Sequence, residues 1–435
     1  MNDARFRRLA LCCAAVALAL PAAAQANEVT NWNGIATSTL VQFPAPGGGA
    51  APALQVSMGM VQGAVYDAVN AIERRHRPIG LHEKFHSWAS LDAAVATAAY
   101  GVLWSLVQDP RAGITEPLKT NLSQMLTTAR NASLAAVPDG AAKAEGVEAG
   151  AAAADAMIAA RADDGRFGPS PWTLNPAVGH WIPELTTPLL DPTPWVANVQ
   201  PFLIKSTSQF RTAGPLALTS EQYATEFNEV KRLGRVDSTF RTPVQTQKAI
   251  FWQSAGGPAL LWNPVARQLA AGAGLDVQES AFLFALMNLS GADAAINCWN
   301  DKYYWDFWRP WNAIRRADTD GNGATEIDAA WTPLIGAPYP EHPSGHLCLD
   351  GALLTSMQMF FGTDAAEFDV TSSRVIDPAL LANPRHFSHF SEPINEIVEA
   401  RIWAGLHYRN ADLQGLDLGR ELAHWAQIHY FQPLG

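Results

Sequence analysis

Apolar residues recur at spacings of three and four along most of the chain, the period of helices that bury one face. The stretch 56–72 (VSMGMVQGAVYDAVNAI) carries that pattern without a proline and predicts a helix. So does 91–107, with Ser90 placed to cap its first turn. Residues 115–133 and the alanine-rich 140–162 predict two more. The texture then changes. Residues 165–215 are rich in Pro, Gly and Trp, and Trp and Leu recur throughout, which predicts a long ordered loop region rather than a flexible linker. Helical periodicity resumes near Ser220, continues with breaks through 240–298, and returns at 344–362, 392–406 and 412–430. Alternating apolar–polar runs with hairpin turns are scarce. The pattern predicts an all-α chain, a helical bundle with long loops, in an N-terminal part (27–215) and a C-terminal part (216–435).

Composition narrows the function. Apolar residues are 48% of the 435 and charged residues only 16%, enough for a large core and unlike a disordered chain or a coiled coil. Lys and Arg number 30 against 41 Asp and Glu, and this acidic balance argues against a nucleic-acid partner. Fifteen Trp suggest aromatic-lined packing or pockets.

The first 26 residues read as an address. Arg5, Arg7 and Arg8 precede an apolar stretch from Leu9 to Leu20, and Ala24-Gln25-Ala26 then supplies a small-residue cleavage site. A signal peptide over 1–26 implies a periplasmic or secreted protein. No later run reaches the roughly 18 uninterrupted apolar residues of a membrane helix. Cys12 and Cys13 would leave with the leader. Cys298 and Cys348 remain, either as a disulfide of an oxidising compartment or as two buried thiols.

The chemistry concentrates in three segments. The first, KYYWDFWRP, runs from Lys302 to Pro310. Read as one helix, its Lys302 and Arg309 are two turns apart and share a face, as a bound anion between them would require, or they are two snorkelling surface cations. In the second, Pro343-Ser344-Gly345-His346, a turn opens an apolar helix whose N-terminal amides favour anions. Ser344 adds a hydroxyl, Gly345 permits close approach, and His346 can transfer protons; the plainer reading is an N-cap with an incidental His. In the third, Arg401 to His407, six residues of helix would put the two side chains about 120° apart, flanking one ligand, with Gly405 relaxing the turn between them. Together the segments gather three cations, a hydroxyl, backbone amides and two His, an inventory that suits a small oxyanion such as phosphate or vanadate.

The ordered triple K-x6-R-P, P-S-G-H and R-x5-H resembles the signature shared by vanadium-dependent haloperoxidases and phosphatidic-acid-phosphatase-type acid phosphatases. The likeness extends to Ala292–Pro310, to AIRRADTDGN ending at Asn322, to PEHPS ending at Ser344, and to QGAVYDAVN ending at Asn70. It points to the bacterial chloroperoxidase-like branch and to that family's helical bundle. It implies a vanadate cofactor, with His407 coordinating vanadium. Lys302, Arg309 and Arg401 would neutralise its oxygens, and Ser344 and the Gly345 amide would hydrogen-bond them. His346 would act as acid–base, and Lys302 would polarise bound peroxide. Hydrogen peroxide and a halide, or a small organic acceptor, would be the substrates and hypohalous acid the product. With phosphate in the same cradle, His407 becomes the nucleophile and His346 protonates the leaving alcohol, an acid phosphatase. A non-catalytic anion-binding envelope protein is the third reading. The chain departs from the pattern at Ala400, where Ser is common, and at Asp412, five residues after His407 rather than four. Tyr339 stands where the chloroperoxidase branch has Phe, and His342 stands where an aromatic is usual.

Four residues are candidates for a supporting role: Asp293 as partner of an arginine or as a plain helix contact, together with Trp299, Tyr339 and His342. Asp318, Asp320 and Asn322 open a sequence like a calcium loop, or form an Asx-rich turn, with Ala329 at the position where the loop's closing Glu belongs. The pairs His342/His346 and His386/His389 have zinc-like spacing but no accompanying carboxylate motif.

Overall fold

The computed structural model describes residues 27–170, 172–183 and 190–434. The expected leader at 1–26 lies outside them, as does part of the proline-rich region. Along the chain run α1 (Glu28–Leu40), α2 (Ala51–Glu73), α3 (Leu91–Gln108), α4 (Leu118–Ala136) and α5 (Ala141–Ala160). After the proline-rich stretch come α6 (Glu221–Leu233), α7 (Pro243–Phe251), α8 (Gly257–Ala273), α9 (Val277–Trp305) and the short α10 (Pro310–Ile314). The last are α11 (Gly345–Phe361), α12 (Ser391–Trp403) and α13 (Arg409–His429). Among the described residues the chain is all-α as expected, apart from one antiparallel pair of strands, β1 (Ala365–Val370) with β2 (Arg385–His389), which periodicity did not suggest.

Caps set several of these boundaries. Ser90 accepts from the Ala93 amide at 3.2 Å, as its position before α3 predicts. Ser220 does the same for α6. Asp276 and Glu279 form a capping box that starts α9, and Thr242 and Gln245 form another for α7.

α9 is the axis of the molecule. It packs most extensively on α2 and then on α11 and α13, so the core runs without interruption from the first helix to the last. α3 and α9 are both long and apolar enough to cross a membrane, but 94% of the most apolar stretch of α9 is buried inside the protein, which makes it a core helix. Along one face of α9, Asp293, Asn297 and Asp301 follow one another at helical spacing. Asp293 accepts from the amides of Phe202, Leu203 and Ile204, Asn297 from that of Phe210, and Asp301 from that of Thr212. This row of acceptors satisfies peptide groups that no regular structure pairs, and it fastens 202–212, the end of the proline-rich region, along α9.

Candidate active site

The three motif segments meet at the C-terminal end of α9. The route differs from the helical reading. Lys302 lies in the last turn of α9, which stops at Asp306 in the left-handed conformation (φ 47°); Arg309 is already the N-cap residue of α10. The two cations therefore converge through a turn and not along one helix face. Arg401 and His407 likewise do not share a helix. α12 ends at Trp403, and Gly405 takes φ 76°. The Gly405 amide bonds to the Ile402 carbonyl and the Leu406 amide to that of Arg401, a Schellman turn that swings His407 back over the site. An added Cβ on Gly405 would lie 2.6 Å from the Gly234 carbonyl oxygen, so glycine is required for both its dihedral and its space. The Pro-Ser-Gly turn opens α11 as expected, with Ser344 as N-cap residue.

Lys302, Arg309, Ser344, Gly345, Arg401 and His407 are all buried, and of the group only His346 keeps appreciable surface. His346 thus marks the mouth. Arg309 donates from Nε to the Tyr339 carbonyl at 3.0 Å and from Nη1 to the Leu406 carbonyl at 2.8 Å. The same Nη1 stands 3.0 Å from His407 Nε2. Arg401 donates to Gln253 Oε1 at 2.9 Å. Arg309 Nη2 and Arg401 Nε make no hydrogen bond, two buried donors left open in one place, and the Ser344 hydroxyl there has only the buried Asp412 carboxyl within hydrogen-bonding reach. Gly345 lets α11 approach the aromatic wall: a Cβ there would meet Trp299 at 3.0 Å and Lys302 Cε at 3.5 Å. Lys302 spends its three ammonium hydrogens on the carbonyls of Pro340, Glu341 and Pro343, so it fastens the loop before α11 rather than pointing a free hydrogen into the site.

Burial governs the electrostatics. It pulls Lys302 down to about 8, helped by Arg309, and Arg309 down to about 10. His346 and His407 fall well below the ordinary imidazole range, through burial first and then the surrounding cations. The nearby carboxyls move the other way. Burial raises Glu341 to about 8 and Asp350 to about 7, and it raises Asp412 well above the usual range. At neutral pH the arginines keep their charge while the carboxyls are drawn toward their neutral forms, which leaves a cationic pocket with neutral imidazoles.

Not every expected supporting residue is at the site. Asp293 holds the 202–204 backbone, and Arg161 reaches it only through its charge. Trp299 and Tyr339 do line the site. Their ring centroids are 5.1 Å apart, and the Tyr339 ring lies 5.2 Å from both Lys302 and Arg309. His342 is buried behind the loop with Nε2 3.1 Å from Thr212 Oγ1 and Nδ1 unpartnered. Asp320 accepts from the Asn322 amide and the Thr325 hydroxyl, and Asn322 from the Ala324 amide, so these two residues form Asx turns with their own chain. Among the described residues no group of three or more His, Cys, Asp or Glu is placed to hold a metal ion. Cys298 and Cys348 are free buried thiols with sulfurs 2.8 Å apart, joining α9 to α11 beside the site.

Four contributors went unnoticed in the sequence: Glu341, which contacts His407; Gln253, which holds Arg401; the Trp252 carbonyl, 3.2 Å from His346 Nε2; and Asp350, whose carboxyl accepts from Trp262 at 2.6 Å. Asp350 lies one turn after His346 on α11 and was open to periodicity; the others come from loops or helix ends and carry no pattern.

Residues 282–434 match the family model of the VCPO second helical-bundle domain. A vanadium chloroperoxidase of Curvularia inaequalis is 26% identical over 200 residues, covering 37% of this chain and 32% of that protein, so the match spans about a third of the relative's length. Among solved structures, a bacterial vanadium-dependent iodoperoxidase superposes with a TM-score of 0.73 at 20% identity, over 93% of this chain and 96% of that one. A bacterial vanadium-dependent chloroperoxidase does so with a TM-score of 0.65 at 17% identity, over 90% and 96%. The family resemblance read from the three motifs holds, and the helical architecture is that of these haloperoxidases.

Proposed function

We propose that this chain, built on the vanadium-haloperoxidase fold and ending in a VCPO-type second helical bundle, is a vanadate-dependent haloperoxidase that oxidises a halide with hydrogen peroxide to hypohalous acid. One observation carries the reading: two buried donors without partners, on Arg309 and Arg401, converge beside the Ser344 hydroxyl where His407 presents a ring nitrogen. Buried donors of this kind are costly unless something accepts from them, and a tetrahedral oxyanion supplies acceptors in several directions. The donor set therefore fits vanadate. His407 Nε2 would bond it, Arg309 Nη2, Arg401 Nε and Ser344 Oγ would hydrogen-bond its oxygens, and the α11 N-terminus would add amides and a favourable dipole.

When bound, vanadate supplies a Lewis acid that activates peroxide toward halide oxidation without changing its own oxidation state. The remaining work belongs to the chain. Arg309 and Arg401 hold negative charge in a water-poor site where their interaction is strong. Lys302 adds charge and keeps the loop before α11 in place. His346 is neutral, and its Nε2 lies within reach of the Trp252 carbonyl, which can only accept. Its proton is therefore on Nε2, and Nδ1 is free to take one from peroxide at the mouth. Tyr339 and Trp299 form the wall nearest the cations, where a halide would be desolvated.

The test is purified protein loaded with orthovanadate and assayed with peroxide and chloride, bromide or iodide from mildly acidic to neutral pH. Halide oxidation that depends on vanadate is expected. Its absence for all three halides, with phosphomonoester hydrolysis that vanadate abolishes, would replace this reading with the acid phosphatase. An exported protein is part of the same proposal: N-terminal sequencing of the purified chain is expected to begin at Asn27.

A further inference from the structure

We propose that Glu341 is the positioning residue of the site: it sets the ring orientation and the tautomer in which His407 can bond an oxyanion. The inference rests on the reading above and adds a residue that the three motifs do not include.

Glu341 Oε1 lies 2.9 Å from His407 Nδ1 and 3.0 Å from the Tyr408 amide nitrogen. A backbone amide only donates, so Oε1 is an acceptor there, and the proton between it and the ring sits on Nδ1. On the opposite side Arg309 Nη1 stands 3.0 Å from His407 Nε2. A guanidinium also only donates, so Nε2 carries its lone pair. Two independent contacts thus demand the same tautomer, the one with the bonding nitrogen facing the cations. The conclusion does not depend on the charge of Glu341, because the Arg309 contact alone puts the lone pair on Nε2 and so the hydrogen of the neutral ring on Nδ1.

Glu341 is itself held through both of its backbone groups. Its amide donates to the Phe307 carbonyl at 2.9 Å, its carbonyl accepts from Lys302 at 3.1 Å, and it is 1% exposed, so water does not compete for Oε1. His407 follows a helix-ending turn with no helix of its own to orient it. A carboxylate on the ring's far nitrogen is the device that orients a histidine ligand in general and raises its basicity.

The experiment compares wild type, Glu341→Gln and Glu341→Leu without vanadate. Long-range nitrogen–proton NMR of the imidazoles reports the His407 tautomer, and calorimetry with inorganic phosphate reports the pocket. Wild type and Glu341→Gln, which keeps an acceptor oxygen, should both show the Nδ1–H form and phosphate affinities within about threefold of each other. Glu341→Leu should lose the Nδ1–H signature and bind phosphate about 10-fold more weakly or worse. An Nε2–H tautomer in the wild type overturns the proposal even if the leucine variant fails to fold. So does a glutamine variant as impaired as the leucine one, which would make charge and not hydrogen-bond acceptance the operative property. A tautomer that shifts as expected in a protein that never oxidises halide would sink the proposed function and leave the role of Glu341 standing.

Discussion

Ser344 contributes little to its own helix. It occupies the N-cap position, yet its hydroxyl makes no capping bond and lies instead within hydrogen-bonding reach of the Asp412 carboxyl. That carboxyl is buried and has no other side-chain hydrogen-bond partner, so Ser344→Ala is expected to lower stability by about 1 kcal/mol or more. The same substitution should weaken inorganic phosphate binding by about 10-fold, the size expected for one lost hydrogen bond to a charged group. Thermal unfolding and calorimetry on the one variant check both halves. Residue identities at this scale were legible: all seven motif residues are at one site, because cations, glycines and histidines at set spacings are conspicuous in an apolar chain. Glu341 was not, since a single glutamate in a loop has no periodicity, and its partner lies 66 residues away in sequence.

Helix ends, more than helices, build the site. Lys302 is in a last turn, Arg309 and Ser344 are N-cap residues, Arg401 is in a last turn, and His407 lies between α12 and α13. Periodicity locates helix bodies well and their ends poorly, which is why two pairs of site residues were read onto continuous helices that in fact stop between them. Gly405 was the available signal in one case, a glycine where a C′ residue belongs; Asp306 in left-handed backbone carried none. The strand pair was missed for a related reason. β1 does alternate exposed with covered positions, but over only six residues, a run too short to stand out beside the long helical periods. Gly405→Ala tests the turn. It combines a positive φ with a contact to the Gly234 carbonyl and should cost roughly 2–4 kcal/mol, with phosphate binding lost in whatever remains folded. A variant as stable as wild type would mean the turn tolerates a side chain and His407 is positioned by other means.

At the scale of the molecule, a long buried helix brings carboxyl groups into the core along with its apolar residues, and the cationic site draws in more. Asp350 and Glu341 are fully enclosed, and burial raises them to about 7 and about 8. In the unfolded chain both would ionise near their usual values, around 4. Above pH 6.5 the unfolded chain therefore holds no proton on either, while the folded one still does. The slope of unfolding free energy with pH follows the protons bound in the unfolded state minus those in the folded state, so it is negative here. Stability should fall as pH rises through the two folded values. The buried histidines do not offset this. Their folded values are lowered, so they bear on stability only where the unfolded imidazole is protonated, below about 6.5. Between pH 6.5 and 8 the loss should reach about 2 kcal/mol, since each carboxyl proton contributes about 1.4 kcal/mol per pH unit over the range in which it is held, and Lys302, lowered to about 8, offsets only about 0.4 kcal/mol of it. Urea unfolding at constant slope, at several pH values in that window and without oxyanion, measures it. Asp350→Asn should flatten the lower part of the curve by removing the group nearest pH 7. A midpoint that stays level or rises across the window would mean that these carboxyls are already ionised in the folded protein, their charges compensated by Arg401 and Arg309, and that the pocket carries less net positive charge than its burial implies.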